Sequence, residues 1–215
     1  MNDNELINIW KSYDQKLDQV LTLNKKLTFN LTKDKLNKTI NQLRTFKTSV
    51  IFLGIPYLVL LYAITAIAIK AGGYFVAAGF GAISIIMSIV MIAYIYQRFL
   101  IGQINKDDDV INVQAKLSAL KISTFNTTKL AILQIPFWSV CWISINALRT
   151  STFVYGGVNL LVFLAFCAVT VWLYRNLNID KMENKVNQFF FSGIEWDPII
   201  KSTEILDQLK EYESK

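Results

Sequence analysis

The chain alternates between charged segments and four long stretches that contain no Asp, Glu, Lys or Arg. These uncharged stretches hold 22, 27, 19 and 25 residues and begin after Lys47, Lys70, Lys129 and Arg149. Because an α-helix rises about 1.5 Å per residue, roughly 20 apolar residues cross a hydrocarbon core of about 30 Å. The pattern predicts an all-α membrane protein with four transmembrane helices, at about 48–69, 74–97, 130–148 and 152–174.

The first polar segment, residues 1–47, carries a repeat of apolar positions typical of a coiled coil. Residues 4–31 are predicted to form one amphipathic helix whose apolar side chains recur in alternating steps of four and three. The positions are Leu6, Trp10, Tyr13, Leu17, Val20, Asn24, Leu27 and Leu31. Asn24 is the one polar member, and a single polar residue at such a position fixes register and oligomeric state in coiled coils.

This repeat has two interpretations. It packs against the chain's own cytoplasmic helices, or it is presented to another protein chain. The residues expected to bind a partner in the second case are Trp10, Tyr13, Leu17, Val20, Asn24 and Leu27. Apolar periodicity resumes at Leu36, Ile40 and Leu43, so the helix is expected to run on into the first span.

Two more cytoplasmic helical regions are predicted. One lies at about 107–125, where Asp107, Asp108 and Asp109 suit the positive end of a helix dipole. The other is the C-terminal region 176–215, where the fourth helix continues through Ile179, Met182, Val186 and Phe189. Gly193 ends it, and Asp197-Pro198 begins a last helix with an apolar stripe of Ile205, Leu206, Leu209 and Tyr212.

Small residues and prolines indicate how the spans pack. The second span carries small residues on one face, and such residues let helix backbones approach closely in lipid. They are Gly73, Ala77, Gly81, Ser84 and Ser88. Pro56 and Pro136 are expected to kink the first and third spans.

The two hairpins resemble each other. Ile55-Pro56-Tyr57 in the first span matches Ile135-Pro136-Phe137 in the third, 80 residues later. Both units start on the same side, which predicts a parallel internal repeat. Chance similarity between apolar spans is the alternative interpretation.

Charge sets the expected orientation. Residues 1–47 hold nine Lys and Arg, 98–129 hold five and 175–215 hold six, whereas the two short turns hold only Lys70 and Arg149. By the positive-inside rule both termini and the central loop are cytoplasmic. We expect an integral protein of a bacterial inner membrane that keeps its N-terminus. The basic residues meet anionic lipid headgroups, and the net charge of +6 needs no nucleic acid.

Catalytic and cofactor-binding patterns are not found in the sequence. There is no histidine, and Cys141 and Cys167 lie inside predicted spans. The span interiors contain no ionisable group of the kind that ion-coupled transport requires. No phosphate-binding loop or nucleophile elbow is present. The three adjacent Asp are the one candidate for a divalent cation or a lipid-active enzyme, but they lack the spacing of a calcium loop. The expectation is no enzyme, no metal and no cofactor.

The sequence therefore predicts a membrane protein that uses its cytoplasmic helices to bind or scaffold a protein partner, or to form a homo-oligomer. A subunit of a transporter, channel or export complex is the first alternative. A membrane-anchored regulator of a soluble factor, of the anti-sigma type, is the second.

Overall fold

The computed structural model describes residues 3–104, 108, 110–178, 187, 193 and 195–214, and every regular element in this part is helical. The helices are α1 Asp3–Lys70, α2 Tyr74–Gly102, α3 Val110–Ile132, α4 Ile135–Val140, α5 Ile145–Thr150, α6 Thr152–Asn176 and α7 Trp196–Ser214. The predicted all-α class is confirmed.

Helix α1 is a single helix of 68 residues, which corresponds to a length of about 100 Å. It contains no glycine or proline before Gly54, so nothing in its first 50 residues interrupts the hydrogen-bond ladder. The helix also continues through Pro56. The polar N-terminal segment and the first uncharged stretch therefore form one element.

Three helices are long and apolar enough to cross a membrane: the part of α1 within Tyr13–Lys70, α2 and α6. Only 6%, 22% and 6% of the residues in their most apolar windows are buried inside the protein. Large apolar surfaces of this extent are not stable in water, so lipid is their natural solvent. The structure thus supports a membrane protein with transmembrane helices.

The predicted third span, 130–148, is not a continuous helix. Helix α3 ends at Ile132, and two short helices, α4 and α5, follow after breaks at 133–134 and 141–144. Pro136 lies in the first turn of α4, where a proline lacks no hydrogen bond that the helix needs. At the second break, the Ser144 amide donates to the Tyr155 hydroxyl at 3.1 Å, and this hydroxyl donates to the Trp142 carbonyl at 3.4 Å.

Helices α1 and α2 form an antiparallel hairpin. Its turn places Gly72 at a φ of +73°, a conformation that favours glycine. The predicted small-residue stripe of α2 meets α1: a Cβ on Gly81 would lie 3.7 Å from Thr65, and the Ser88 hydroxyl is 2.9 Å from that of Tyr62. Ser84 is fully buried, whereas Gly73 lies in the turn and Ala77 is half-buried.

Another face of α2 carries a closer contact than the one at Gly81, and it lies at Gly79. A Cβ there would lie 2.6 Å from the Cys141 sulfur and 3.1 Å from the Phe137 carbonyl oxygen. At the next residue of α2, the rings of Phe80 and Trp138 meet edge to face at 6.1 Å. Among the glycines of α2, Gly79 therefore has the closest neighbours, although it lies outside the predicted stripe. These neighbours belong to residues 123–144, which include the end of α3, both breaks and α4, and which we call the interrupted segment.

The interrupted segment runs antiparallel along α2 in constant register. The Gln97 amide donates to the Ser123 hydroxyl at 3.1 Å, and 18 residues away on both helical segments Gly79 faces Cys141. This distance corresponds to about 27 Å of helix. Despite its breaks, the segment 123–141 thus covers the same length as a continuous helix.

Outside the four uncharged stretches, four helices pack around a hydrophobic core, here called the four-helix cluster. Its residues are Leu36, Ile40, Leu43, Ile101, Ile104, Val113, Leu117, Leu120, Ile199, Ile205, Leu206 and Leu209, from α1, the end of α2, α3 and α7. The predicted apolar stripes of α1 and α7 supply half of them. Tyr212, the last predicted stripe position, lies outside the side chains that the structure describes.

Two predicted boundaries differ from the structure. Helix α3 does not end near residue 125 but continues to Ile132, so the predicted helix at 107–125 merges with the start of the third span. Helix α6 ends at Asn176, where Leu177 takes an extended backbone with a ψ of 111°, so one unbroken helix into the C-terminal region is wrong. Ile179, Met182, Val186 and Phe189 lie outside the described residues.

Candidate functional site

The predicted partner-binding residues lie on an exposed strip of α1, here called the seam. It consists of Trp10, Tyr13, Leu17, Val20, Asn24, Leu27 and Leu31; the side chain of Leu6 is outside the described part. The six apolar members are between 50% and 73% exposed, and Asn24 is exposed as well. The structure therefore brings these residues together on one face of a helix and places nothing from its described part on them.

The seam points away from the chain's own core. Phe29 packs against the four-helix cluster, whereas Leu31, the last seam residue, is 68% exposed. Two residues correspond to about 200° of rotation on an α-helix, so the two side chains lie on nearly opposite faces. Within the described part of the chain, this geometry does not support the interpretation in which the seam covers the chain's own helices.

A second polar site is buried where α1, α2 and α3 meet the beginning of α7, and we call it the lysine cluster. It consists of Lys47, Tyr94, Gln97, Ser123, Thr127 and Glu195. Lys47 is fully buried, and its ammonium donates to Gln97 Oε1 at 2.5 Å and to a Glu195 carboxylate oxygen. It also lies 4.4 Å from the centre of the Tyr94 ring. A buried ammonium is tolerated only when such partners replace its water.

The remaining members of the lysine cluster are paired as well. The Tyr94 hydroxyl donates to the other Glu195 carboxylate oxygen at 3.0 Å. The buried Gln97 amide nitrogen donates to Ser123 and to Thr127 at 3.1 and 2.9 Å, which uses both of its hydrogens. The result is a connected hydrogen-bond network, in which the removal of one side chain leaves a polar group of another side chain unpaired.

Comparison with protein-family models, with curated proteins and with solved structures gives no match to this chain.

Sequence reasoning did not single out the lysine cluster, although one signal was present. Lys47 follows Leu36, Ile40 and Leu43 at the same alternating spacing of four and three, which places a lysine at the next core position of α1. The positive-inside rule counts Lys47 only as a charge that sets orientation and takes no account of its core position on the helix. No local signal indicated Glu195, which is 148 residues away in the chain.

The three adjacent Asp, the one candidate for a cation site, are described only in part. Asp108 accepts a hydrogen bond from Lys116 at 2.6 Å, and the same ammonium donates to the Gln103 carbonyl oxygen. Asp107 and Asp109 lie outside the described residues. Among the described residues, no three His, Cys, Asp or Glu side chains gather as a metal site.

Proposed function

We propose that this chain is a non-enzymatic integral membrane protein whose first helix carries a docking surface for a second helical protein chain. The exposure of the seam carries the proposal. Burying a large apolar side chain stabilises a complex by about 1.5–3 kcal/mol relative to leaving it in water. Six such side chains on one helix face, each at least half exposed, provide a large driving force for association.

The spacing of the seam favours a helical partner. Steps of four and three keep the apolar side chains on one line along α1, and a partner helix inserts its own side chains between them. Asn24, in the middle of that line, disfavours misaligned pairings because an unpaired amide costs free energy when it is buried.

The distance of the seam from the bilayer disfavours lipid as its cover. Leu31 precedes the uncharged stretch that begins at residue 48 by 17 residues, which corresponds to about 25 Å along α1, and Trp10 lies about 57 Å away. Because α1 is one helix, residues 10–31 are held away from the membrane. A protein chain is the partner that reaches them.

The interrupted segment supports a fourth membrane crossing. It lies beside α2 over about 27 Å, as described above. It also lies beside α6 from one end to the other: Lys129 is 4.8 Å from the Tyr174 ring, and Ser144 contacts Tyr155. Broken helices occur at membrane depth where their backbone groups find partners in protein, as the Ser144 amide does at the Tyr155 hydroxyl. We therefore propose two hairpins, in keeping with the parallel repeat, with the second built from a broken and a continuous helix.

The charge distribution supports the orientation. With four crossings, twenty Lys and Arg fall on one side and only Lys70 and Arg149 on the other. By the positive-inside rule, this bias favours a cytoplasmic location for both termini, the seam and the four-helix cluster. Membrane lipids cover the exposed faces of the spans, and no cofactor is part of the proposal.

The test compares two substitutions on opposite faces of the same helix. Leu17→Asp places a charge in the seam, and Gln19→Asp places the same charge on the exposed opposite face. We crosslink the protein in native membranes, extract it in mild detergent and identify the covalent products by mass. We expect the wild-type complex to be reduced at least tenfold by Leu17→Asp and to change less than twofold with Gln19→Asp.

The identity of the bound chain follows from a cysteine crosslink. With Cys141 and Cys167 replaced by Ala, Asn24→Cys forms a disulfide-linked dimer if the partner is a second copy, and Gln19→Cys is the matched control. A product that contains a different protein identifies a hetero-complex. A wild-type chain that stays monomeric and unbound in crosslinked membranes would contradict the proposal.

A further inference from the structure

The lysine cluster joins four parts of the chain: α1, α2, α3 and the segment that leads into α7. Leu43, one turn before Lys47, belongs to the four-helix cluster, whereas the residues after Lys47 begin the uncharged stretch. Tyr94 and Gln97 come from α2, and Ser123 and Thr127 from α3. Glu195 alone comes from the segment that leads into α7. The network therefore sits at the point where α7 attaches to the three other helices.

The carboxylate of Glu195 is held at both oxygens. Lys47 binds Oε1, Tyr94 donates to Oε2 at 3.0 Å, and the side chain of Glu195 remains 18% exposed. The next residue, Trp196, is 2% exposed and packs with Ile132 and Leu177. The start of α7 is thus fixed by one ion pair and one buried aromatic ring in consecutive positions.

Loss of the ion pair would cost more free energy at Lys47 than at Glu195. A fully buried ammonium loses its water, and Gln97 and the Tyr94 ring supply no full negative charge to replace it. Glu195, being partly exposed, keeps access to water. The attraction therefore acts mainly to hold Glu195, and with it the start of α7, at a position that α1 and α2 define.

We propose that Lys47 and Tyr94 form a receptor for the Glu195 carboxylate, and that this contact is an intramolecular latch which holds the beginning of α7 against the membrane helices. While the latch is closed, Ile199, Leu206 and Leu209 remain in the four-helix cluster. When the carboxylate is removed, the start of α7 leaves its position and this apolar stripe becomes accessible. The latch is independent of the seam and of any partner bound there.

The test measures the accessibility of a buried position on α7. Ser202 is fully buried, so Ser202→Cys, in a chain with Cys141→Ala and Cys167→Ala, reports whether α7 is docked. The rate of modification by a maleimide is measured on the detergent-solubilised full chain. We expect Glu195→Gln to raise this rate at least tenfold. Glu204→Gln, which neutralises an exposed acid on the same helix, is the matched control and should change it less than twofold.

A double substitution separates a latch from general loosening. Lys47→Met also opens α7, and Lys47→Met with Glu195→Gln should react no faster than the faster single variant, because both changes remove one interaction. Multiplied rates in the double variant would overturn the proposal. So would a Glu195→Gln protein in which the thiol introduced by Ser202→Cys stays protected. If Lys47→Met fails to insert, the Glu195→Gln result alone decides, since Glu195 is partly exposed and outside the apolar stretches.

Discussion

Two stretches of α1 carry the same kind of apolar repeat and end in different surroundings. Leu36, Ile40 and Leu43 are at most 4% exposed because α3, α7 and the end of α2 cover them. The six apolar seam residues, on the same helix, are at least half exposed. Large apolar side chains dominate both stretches. The difference lies in which other helices the chain places beside each of them.

In the proposed function, the two stretches of α1 have different roles. Free energy from the covered stretch stabilises the fold of the single chain. In the proposed function, free energy from the seam is released only when a second chain binds, so it would stabilise a complex. One long helix would then connect a stable core, at its middle, with an association surface at its end.

The largest expected difference comes from placing the same charge in the two stretches. Leu43 is fully buried, so Leu43→Asp puts an unpaired carboxylate into the four-helix cluster. The expected loss is about 4–5 kcal/mol or more in the free energy of unfolding. The loss of stability is measured by heating the detergent-solubilised chain and monitoring its unfolding by size-exclusion chromatography. Leu17→Asp should leave the melting temperature of the monomer unchanged, and an equal loss in both variants would show that the seam is part of the fold.

A smaller difference is expected from side-chain truncation. Ile40→Ala removes buried methylene and methyl groups and should cost about 2–5 kcal/mol of stability. Val20→Ala removes exposed groups and should change the stability of the monomer by less than about 0.5 kcal/mol. Chemical unfolding of both variants at a protein concentration below that of association gives the two numbers. A clear destabilisation by Val20→Ala would contradict the assignment of the seam to association.

The smallest and most diagnostic change is at Asn24. Replacing it by Val makes the seam uniformly apolar, which strengthens coiled-coil pairing while weakening its register. We expect association to tighten on the order of tenfold, equivalent to about 1.4 kcal/mol, with little change in monomer stability. Sedimentation of the full chain in detergent measures this. Thr22→Val, on an exposed position outside the seam, is the control, and weaker association of Asn24→Val would count against a coiled-coil interface.

The two hairpins show where local patterns stop being sufficient. Ile55-Pro56-Tyr57 and Ile135-Pro136-Phe137 are similar in sequence, but α1 continues through Pro56 whereas Pro136 begins a new helix after a break. The second segment is packed between α2 and α6, and its breaks are paired by Tyr155 and by short backbone bonds. Those partners lie elsewhere in the chain, so the tripeptide alone does not distinguish the two outcomes.

The contacts of small residues on α2 likewise depend on partners elsewhere in the chain. The stripe on α2 was predicted from spacing, and its members Gly81, Ser84 and Ser88 lie toward α1 or in the core. Of the glycines in α2, Gly79 has the closest neighbours, although it stands outside that spacing, because Cys141 and the Phe137 carbonyl approach it from the interrupted segment. Spacing identifies a face that permits close approach. It does not identify the helix that uses it.

The sequence by itself determined the all-helical class, the apolar stretches and the phase of each apolar stripe, because helix formation and periodicity depend on residues within a few turns of one another. Only the tertiary structure decided which stripes are covered, where the third stretch breaks and that Glu195 meets Lys47. These outcomes depend on contacts between residues far apart in the chain. A pattern along one helix states which face avoids water, and the neighbouring helices decide what that face meets instead.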